Sequence, residues 1–279
     1  MVQWRSGRRS TNVEDRRGMR PGVAVGGGMG FLVLLLLVWC LGGDPMALLQ
    51  NTPEAPSTQE GPAPPAADED AQFVSAILAS TEDAWSGIFA ENNASYPPPT
   101  LVLFTDMVRS GCGTAGAATG PFYCPLDQKV YLDLGFFRDL ARLGGPGDFA
   151  AAYVVGHEVG HHVQNVVGTA EEVRGLQQRN PGAANDLSVR LELQADCYAG
   201  VWAHRTHQER GGQFLEAGDV EEGLAAAAAI GDDRLQRNAG RAVSPESFTH
   251  GTSEQRQRWL RKGLESGDPD ACDTFGIGA

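Results

Sequence analysis

Residues 153–165, YVVGHEVGHHVQN, place three of the six histidines of the chain in an otherwise apolar run. His157 and His161 are four residues apart, so on a helix both imidazoles lie on one face and can reach the same point. Glu158 is displaced by about a third of a turn and flanks that point. Two unpaired imidazoles on a buried helix would be costly, and a shared metal ion would give both a partner. The run therefore predicts a buried metal-binding helix.

A second segment carries two carboxylates with the same spacing. Residues 186–203, DLSVRLELQADCYAGVWA, have helical periodicity, and Glu192 and Asp196 share a face within this apolar pattern. Carboxylates seldom face apolar surroundings unless they are paired or bind a metal. A catalytic zinc site usually has three protein ligands and one open position. We therefore expect Glu192 to be the third ligand and Asp196 to accept a hydrogen bond from a ligating histidine.

Capping residues predict where these two helices begin and end. Asp148, which follows GGPG, is expected to cap the start of the first helix, and Gly168 is expected to close it. The second helix is expected to be capped at Asn185 or Asp186.

The N-terminal region is strongly polarised. Residues 1–22 contain six arginines and two acidic residues, although the whole chain has a net charge of -13. Residues 23–43 carry no charge and could cross a hydrocarbon core of about 30 Å as a helix. A cleaved signal peptide would have a shorter apolar core that ends in small residues, whereas this stretch ends near Trp39 and Cys40. The positive-inside rule then predicts a cytoplasmic basic tail at 1–22, a single-pass anchor at 23–43 in a bacterial cell membrane, and an extracytoplasmic remainder.

The rest of the chain reads as a linker and one domain. Residues 44–70 are rich in Pro, Ala and acidic residues and predict a disordered, solvated linker. The domain, residues 71–279, is expected to open with a helix near Ala71, followed by short strands at 100–104 and 129–134. Helical patterns dominate afterwards, which indicates an α+β fold with a small N-terminal sheet segregated from a mainly helical body. Outside the tail no basic cluster or aromatic-basic interleaving occurs, so no nucleic-acid partner is expected.

Four of the five cysteines are candidates for disulfide bonds. Cys40 lies in the predicted anchor, and the others would face an oxidising exterior. Three pairings are open to them. A bond between Cys112 and Cys124 is favoured because it would close a Gly-rich loop, which leaves Cys197 with Cys272. The alternative for Cys197 is a buried, unbonded thiol.

Several motifs together resemble a known family. GHEVGH followed by ELQAD is similar to the pattern of the gluzincins, the zinc peptidases with a glutamate ligand. NVEDRRG, GHEVGHHVQN, RLELQADCYAGVW, AIGDDRLQ, THGTSEQRQRW and CDTF resemble the putative neutral zinc metallopeptidase family of bacterial membrane-anchored proteins, along nearly the whole chain except the linker. The resemblance implies a zincin-like body and one Zn²⁺ per chain. It also implies His157, His161 and Glu192 as ligands and Glu158 as the catalytic residue.

These features predict a membrane-anchored, extracytoplasmic zinc peptidase acting on a peptide or protein substrate. Zinc would lower the pKa of a water towards about 7, and Glu158 would accept its proton. His250, in FTHGTSEQ, is the candidate second donor to the oxyanion, on a loop held by a capping box of Thr252 and Gln255. The alternative role for His250 is that of a surface-loop residue. The alternative function is a membrane-tethered zinc-binding scaffold or regulatory module without turnover, although Glu158 beside an open site favours an enzyme.

Two further residue groups have alternative interpretations. His162 points about 100° away from His161 and is expected to pack or form a hydrogen bond instead of binding metal. The strand at 129–134 precedes the motif helix, as the substrate-pairing edge strand does in proteins that the chain resembles. It is either such an edge strand or a purely structural one.

Overall fold

The structure, a computed structural model, describes residues 1–18 and 68–276. The strands are β1 (Val13–Asp15), β2 (Thr100–Phe104), β3 (Met107–Ser110), β4 (Gly113–Gly116), β5 (Phe122–Cys124) and β6 (Lys129–Asp133). The helices are α1 (Glu69–Glu91), α2 (Phe136–Leu143), α3 (Asp148–Val166), α4 (Thr169–Arg179), α5 (Ala184–Glu209), α6 (Asp219–Ala229), α7 (Asp232–Asn238) and α8 (Ser253–Ser266). The α+β prediction is confirmed for these residues.

The predicted anchor, residues 23–43, lies outside the described residues, as do 44–67 of the predicted linker. Within residues 1–18 and 68–276, no helix combines the length and the apolar character needed to cross a membrane. The linker boundary at residue 70 is wrong by a few residues, because α1 already begins at Glu69. Asp68 caps this helix by accepting a hydrogen bond from the backbone N–H of Ala71.

The main sheet has the order β1-β2-β6-β5. Strands β1, β2 and β6 are parallel, and β5 runs antiparallel to β6. The prediction of strands at 100–104 and 129–134 is confirmed, the second to within one residue. The possible assignment of 129–134 as an edge strand is wrong, because β5 covers that side of β6. A tight turn with Gln128 at φ 57° reverses the chain and lets β5 pair with β6.

Residues 1–18 belong to the folded body, which differs from the prediction of a separate basic tail at 1–22. Strand β1 pairs with β2, and Val2, Trp4 and Val13 are buried in the main hydrophobic core. The Trp4 ring packs edge-on against Phe73 of α1, with ring centroids 5.6 Å apart. The sequence pattern missed β1 because a three-residue strand is too short for alternation to be visible.

Helix α3, which carries the histidine motif, is buried along most of its length and packs against α5 and α6. A Cβ atom at Gly160 would lie 2.9 Å from the carbonyl oxygen of Ala195 on α5, closer than Cβ atoms normally approach. Glycine here lets the two backbones come together, which brings the histidine pair of α3 within reach of the carboxylates of α5.

The predicted helix ends are partly correct. Gly168 follows the C-terminus of α3 in a left-handed conformation, as predicted. Asp148 does not cap α3, since it is the first helical residue and its side chain makes no capping hydrogen bond. Helix α5 begins at Ala184, so Asn185 and Asp186 lie inside its first turn. Their side chains bind Glu246 and Arg190 instead of free backbone N–H groups.

Both favoured disulfides are present, Cys112–Cys124 and Cys197–Cys272. The first joins the loop after β3 to strand β5. The second joins α5 to the turn at the end of the described chain, over a sequence separation of 75 residues. Cys197 is therefore bonded and not a free buried thiol.

Candidate metal centre

Three side chains from two helices converge on one point. Nε2 of His157 lies 3.2 Å from Oε2 of Glu192, and Nε2 of His161 lies 3.4 Å from its Oε1. The three donor atoms lie within 4.8 Å of one another. Two imidazole nitrogens and one carboxylate oxygen form a donor set that suits zinc.

The His157 ring is oriented by Asp196. Nδ1 of His157 lies 2.8 Å from Oδ1 of Asp196, which is fully buried. Because a carboxylate can only accept, a neutral His157 ring carries its proton on Nδ1, and its Nε2 can then present a lone pair to the convergence point. This is the hydrogen bond that the spacing of Glu192 and Asp196 predicted.

The His161 ring is oriented in the same sense by a residue that the sequence analysis missed, Gln164. Nδ1 of His161 lies 2.9 Å from Oε1 of Gln164. The amide group of Gln164 cannot be reversed, since its Nε2 donates to the carbonyl of Leu191 at 2.7 Å and to Oε1 of Gln194 at 3.0 Å. Oε1 of Gln164 therefore accepts, and His161 also presents Nε2 to the site. Both rings are thus prepared for a metal, which is the fit expected of a ligand pair.

The charges of the donor groups favour a cation. Burial lowers the pKa of His157, but the carboxylates of Asp196 and Glu192 raise it to about 9. Burial raises the pKa of Glu192, yet the neighbouring histidines bring it well below its usual range. The site therefore attracts protons when no metal neutralises it, and a divalent cation would replace them.

Glu158 lies beside the three donors and lines the same cleft, but it accepts no hydrogen bond from the rings. Its side chain is buried, and this burial raises the pKa of the carboxyl, against the opposing effect of His157 and His161. A carboxylate with a raised pKa next to an open metal position suits a group that accepts and returns a proton.

His250 lines the same cleft and is about half exposed, with 51% of its side chain accessible. Oδ2 of Asp232 accepts hydrogen bonds from the backbone N–H groups of Thr249, His250 and Gly251, which fixes the loop. Oδ1 of Asp232 lies 3.1 Å from Nδ1 of His250, and this bond raises the pKa of the histidine. The capping box of Thr252 and Gln255 is present as predicted. Asp232 thus holds His250 in place at the cleft, and Nε2 of His250 takes no part in the bond to Asp232.

His162 packs away from the donors. Its Nε2 donates to the carbonyl of Pro97 at 2.6 Å, and its Nδ1 accepts from the hydroxyl of Tyr123 at 3.0 Å. This ring therefore ties α3 to the edge strand β5, in agreement with the prediction that His162 packs or forms hydrogen bonds.

The cleft around these groups has a volume of about 610 Å³. One wall consists of residues 117–123, which lead into β5. The apolar side chains of Phe136, Leu143, Ile230 and Leu235 also line the cleft. The three donors thus share one cleft with the segment that leads into the edge strand β5 and with these apolar side chains.

Besides Gln164, three residues near the site were not found from the sequence. Tyr153 and Arg256 bind Asp196, and Asp232 binds the His250 loop. Tyr153 could have been found from the sequence, because it is a polar residue on a helix predicted to be buried and lies one turn before His157. Arg256 and Asp232 reach the site from distant parts of the chain, so no spacing rule could indicate them.

The fold and the donor set define an α+β protein with a two-histidine, one-glutamate metal site and a buried glutamate in an open cleft. Residues 2–275 match the putative neutral zinc metallopeptidase family, and the chain belongs to this family.

The chain is 47% identical over 287 residues to the uncharacterized protein YpfJ of Escherichia coli strain K12, with 99% of each chain covered. It is 42% identical over 213 residues to the uncharacterized proteins Mb2605 of Mycobacterium bovis and Rv2575 of Mycobacterium tuberculosis. These alignments cover 73% of this chain and 71% of each relative. No solved structure matches the chain.

Replacement of Gln164 by Leu tests the orientation of His161. Leu keeps a similar size but removes the acceptor for Nδ1, so we expect zinc affinity to fall by roughly tenfold to a hundredfold. Chelator-competition titration measures this change. Gln177→Leu is the matched control, because Gln177 also bridges a backbone carbonyl and a side chain, but on α4. Parental zinc affinity in a folded Gln164→Leu protein would show that the bond to His161 is not needed.

Proposed function

We propose that this protein is a zinc-dependent peptidase that hydrolyses peptide bonds. The observation that carries the proposal is the position of Glu158, a buried carboxylate that lines the cleft beside three converging metal donors. A purely structural zinc site would close its coordination shell with protein ligands and would not need such a group.

His157, His161 and Glu192 would hold the zinc ion, which supplies a Lewis acid that polarises the peptide carbonyl and makes water more acidic. Glu158 accepts the proton of the attacking water on its carboxylate. It then returns this proton to the nitrogen of the leaving amine. Because the pKa of Glu158 is raised above that of an exposed glutamate, its carboxylate accepts the proton more readily and can still return it to the amine.

His250 acts as the second donor to the carbonyl oxygen of the substrate. Its Nδ1–H is held by Asp232, and a protonated ring can donate from Nε2 into the cleft. The raised pKa of His250 keeps this proton available at higher pH than for an unpaired histidine.

The edge strand β5 offers a surface for an extended peptide. Among the described strands β5 lies at one border of the sheet, and residues 117–123 form one wall of the cleft. Backbone pairing along such an edge would align a peptide with the donors, while the apolar wall would accept its side chains.

The enzyme works outside the cytoplasm and is attached to the membrane through residues 23–43. Two disulfides within the described residues support an oxidising compartment. The uncharged sequence of residues 23–43 supports the attachment.

Glu158→Gln separates catalysis from metal binding. The substitution keeps the size of the side chain but removes the proton acceptor, so we expect turnover to fall by about two to four orders of magnitude with zinc still bound. Cleavage of a diverse peptide library, followed by mass spectrometry, together with metal analysis, measures both quantities.

Glu171→Gln, at an exposed position on α4, is the control for the loss of one acidic group. Equal cleavage by Glu158→Gln and the parent at saturating zinc would contradict the mechanism. A parent that binds zinc but cleaves no peptide in the library would instead favour a zinc-binding scaffold without turnover.

A further inference from the structure

We propose that Arg256 is a positioning residue of the metal centre, which acts on His157 through Asp196. This inference rests on the proposed zinc site but not on peptidase activity. Arg256 is 2% exposed and reaches the site from α8, the last helix of the described chain.

Arg256 forms a bidentate ion pair with the carboxylate of Asp196. Its Nε lies 2.9 Å from Oδ2 of Asp196, and its Nη2 lies 2.9 Å from Oδ1. Such a bidentate pair fixes the plane of the carboxylate as well as its position. Oδ1 also accepts from the hydroxyl of Tyr153 at 2.6 Å and from Nδ1 of His157 at 2.8 Å. The direction in which His157 donates is therefore set by the orientation that Arg256 gives to Asp196.

The same guanidinium also contacts the His157 ring. Nη2 lies 3.4 Å from Nδ1 and 3.5 Å from Nε2 of His157, so it stands over the ring and not in its plane. In this position Arg256 obstructs rotation of the ring. Its charge also compensates that of Asp196, which would otherwise be a buried, uncompensated anion.

The packing of α8 against α5 fixes the position of Arg256. A Cβ atom at Gly263 would lie 1.9 Å from the carbonyl oxygen of Cys197, so the two helix backbones are in direct contact. Cys197 follows Asp196 directly, and this contact sets the register that puts Arg256 opposite Asp196. The capping box of Thr252 and Gln255 fixes the first turn of α8, in which Arg256 lies.

Arg256→Lys tests this role, because lysine keeps the charge but loses the two-pronged geometry. We expect zinc affinity to fall by roughly tenfold to a hundredfold in chelator competition, with no change in KM for any peptide that the parent cleaves. Arg205→Lys is the matched control, since Arg205 on α5 makes a similar bidentate pair with Glu91 far from the donors. It should leave zinc affinity unchanged.

A double-mutant cycle distinguishes action through Asp196 from a general loss of packing. If Arg256 acts through Asp196, Arg256→Lys combined with Asp196→Asn should weaken zinc binding by less than the product of the two single effects. Parental zinc affinity in folded Arg256→Lys, or full additivity in the cycle, would overturn the proposal. If Arg256→Lys does not fold, Arg256→Gln, which keeps a single donor for Asp196, takes its place, and parental zinc affinity in that folded variant would also contradict the proposal. A parent protein without peptidase activity would contradict the proposed function but not this inference, because the measured quantity is zinc affinity.

A second and independent observation concerns residues 1–18, and we infer that they share one oxidising compartment with residues 68–276. Their arginines suggested a cytoplasmic tail, but the fold uses each of them. Arg8 binds Glu82 and Asp83 of α1 at 2.8 and 2.7 Å, and Arg17 binds Asp15 and Asp68, each at 2.6 Å. The remaining arginines of this segment have these partners: Arg5 with Glu69, Arg9 with three backbone carbonyls and the Trp4 ring, and Arg16 with Glu14.

Buried polar contacts add to these ion pairs. Glu82 is 6% exposed and accepts hydrogen bonds from the hydroxyl of Ser10 at 2.5 Å and from the amide of Asn12 at 2.8 Å. Glu14 of β1 lies 2.5 Å from the ammonium group of Lys129 on β6. A single crossing of the membrane through residues 23–43 would place Arg5, Arg8, Ser10, Asn12 and Glu14 on the side opposite their partners in residues 68–276. Any attachment through that stretch must therefore leave both parts on one side.

Ser10→Cys with Ser75→Cys in the full-length chain tests this inference inside bacteria. The backbone N–H of Ser10 donates to the carbonyl of Ser75, and the Ser75 hydroxyl donates to the carbonyl of Ser10, each at 3.1 Å. Two small side chains so close should form a disulfide, which mass spectrometry of unreduced peptides detects. The native disulfides are the internal control for folding and oxidation. Native bonds without the engineered bond would contradict the shared location, and reduced native cysteines would contradict the oxidising compartment.

Discussion

The close packing of α3 on α5 is the constraint on which the metal centre depends. Each helix carries a pair of polar residues four positions apart, and each pair shares one face. Gly160 allows the backbones to approach, so that Glu192 can lie between the Nε2 atoms of His157 and His161. A larger residue at position 160 would separate the helices and take Glu192 away from the Nε2 atoms of His157 and His161, at a cost in free energy.

The orientation of the two imidazoles depends on different kinds of acceptor. Asp196, a charged acceptor, serves His157 and is itself fixed by Arg256 and Tyr153. Gln164, a neutral acceptor, serves His161 and is fixed by a backbone carbonyl. Both arrangements leave Nε2 directed at the same point, which is the orientation that metal ligation requires. This orientation reduces the ordering needed on binding.

Local spacing explains why the donors could be predicted from the sequence and why their supports could not. His157, His161, Glu192 and Asp196 follow from the period of the helix alone, and the capping box before α8 is equally local. Arg256 reaches Asp196 over 60 positions of the chain, which only the packing of α8 determines. Strand β1 was missed for a similar reason, because it is stabilised by β2, far along the chain, and not by a pattern of its own. The arginines of residues 1–18 were read as a topology signal, although Arg5, Arg8, Arg16 and Arg17 pair with acidic groups in the fold.

X-ray absorption at the zinc edge of the full-length protein loaded with one equivalent of zinc tests the central claim most directly. The account predicts two imidazole rings, counted from their multiple scattering, at about 2.0–2.1 Å, with the remaining ligands oxygen at about 2.0–2.2 Å. Glu192→Ala should change the oxygen shell and keep both rings. A sulfur ligand at about 2.3 Å, a third imidazole, or an unchanged spectrum in Glu192→Ala would contradict the assignment of the site.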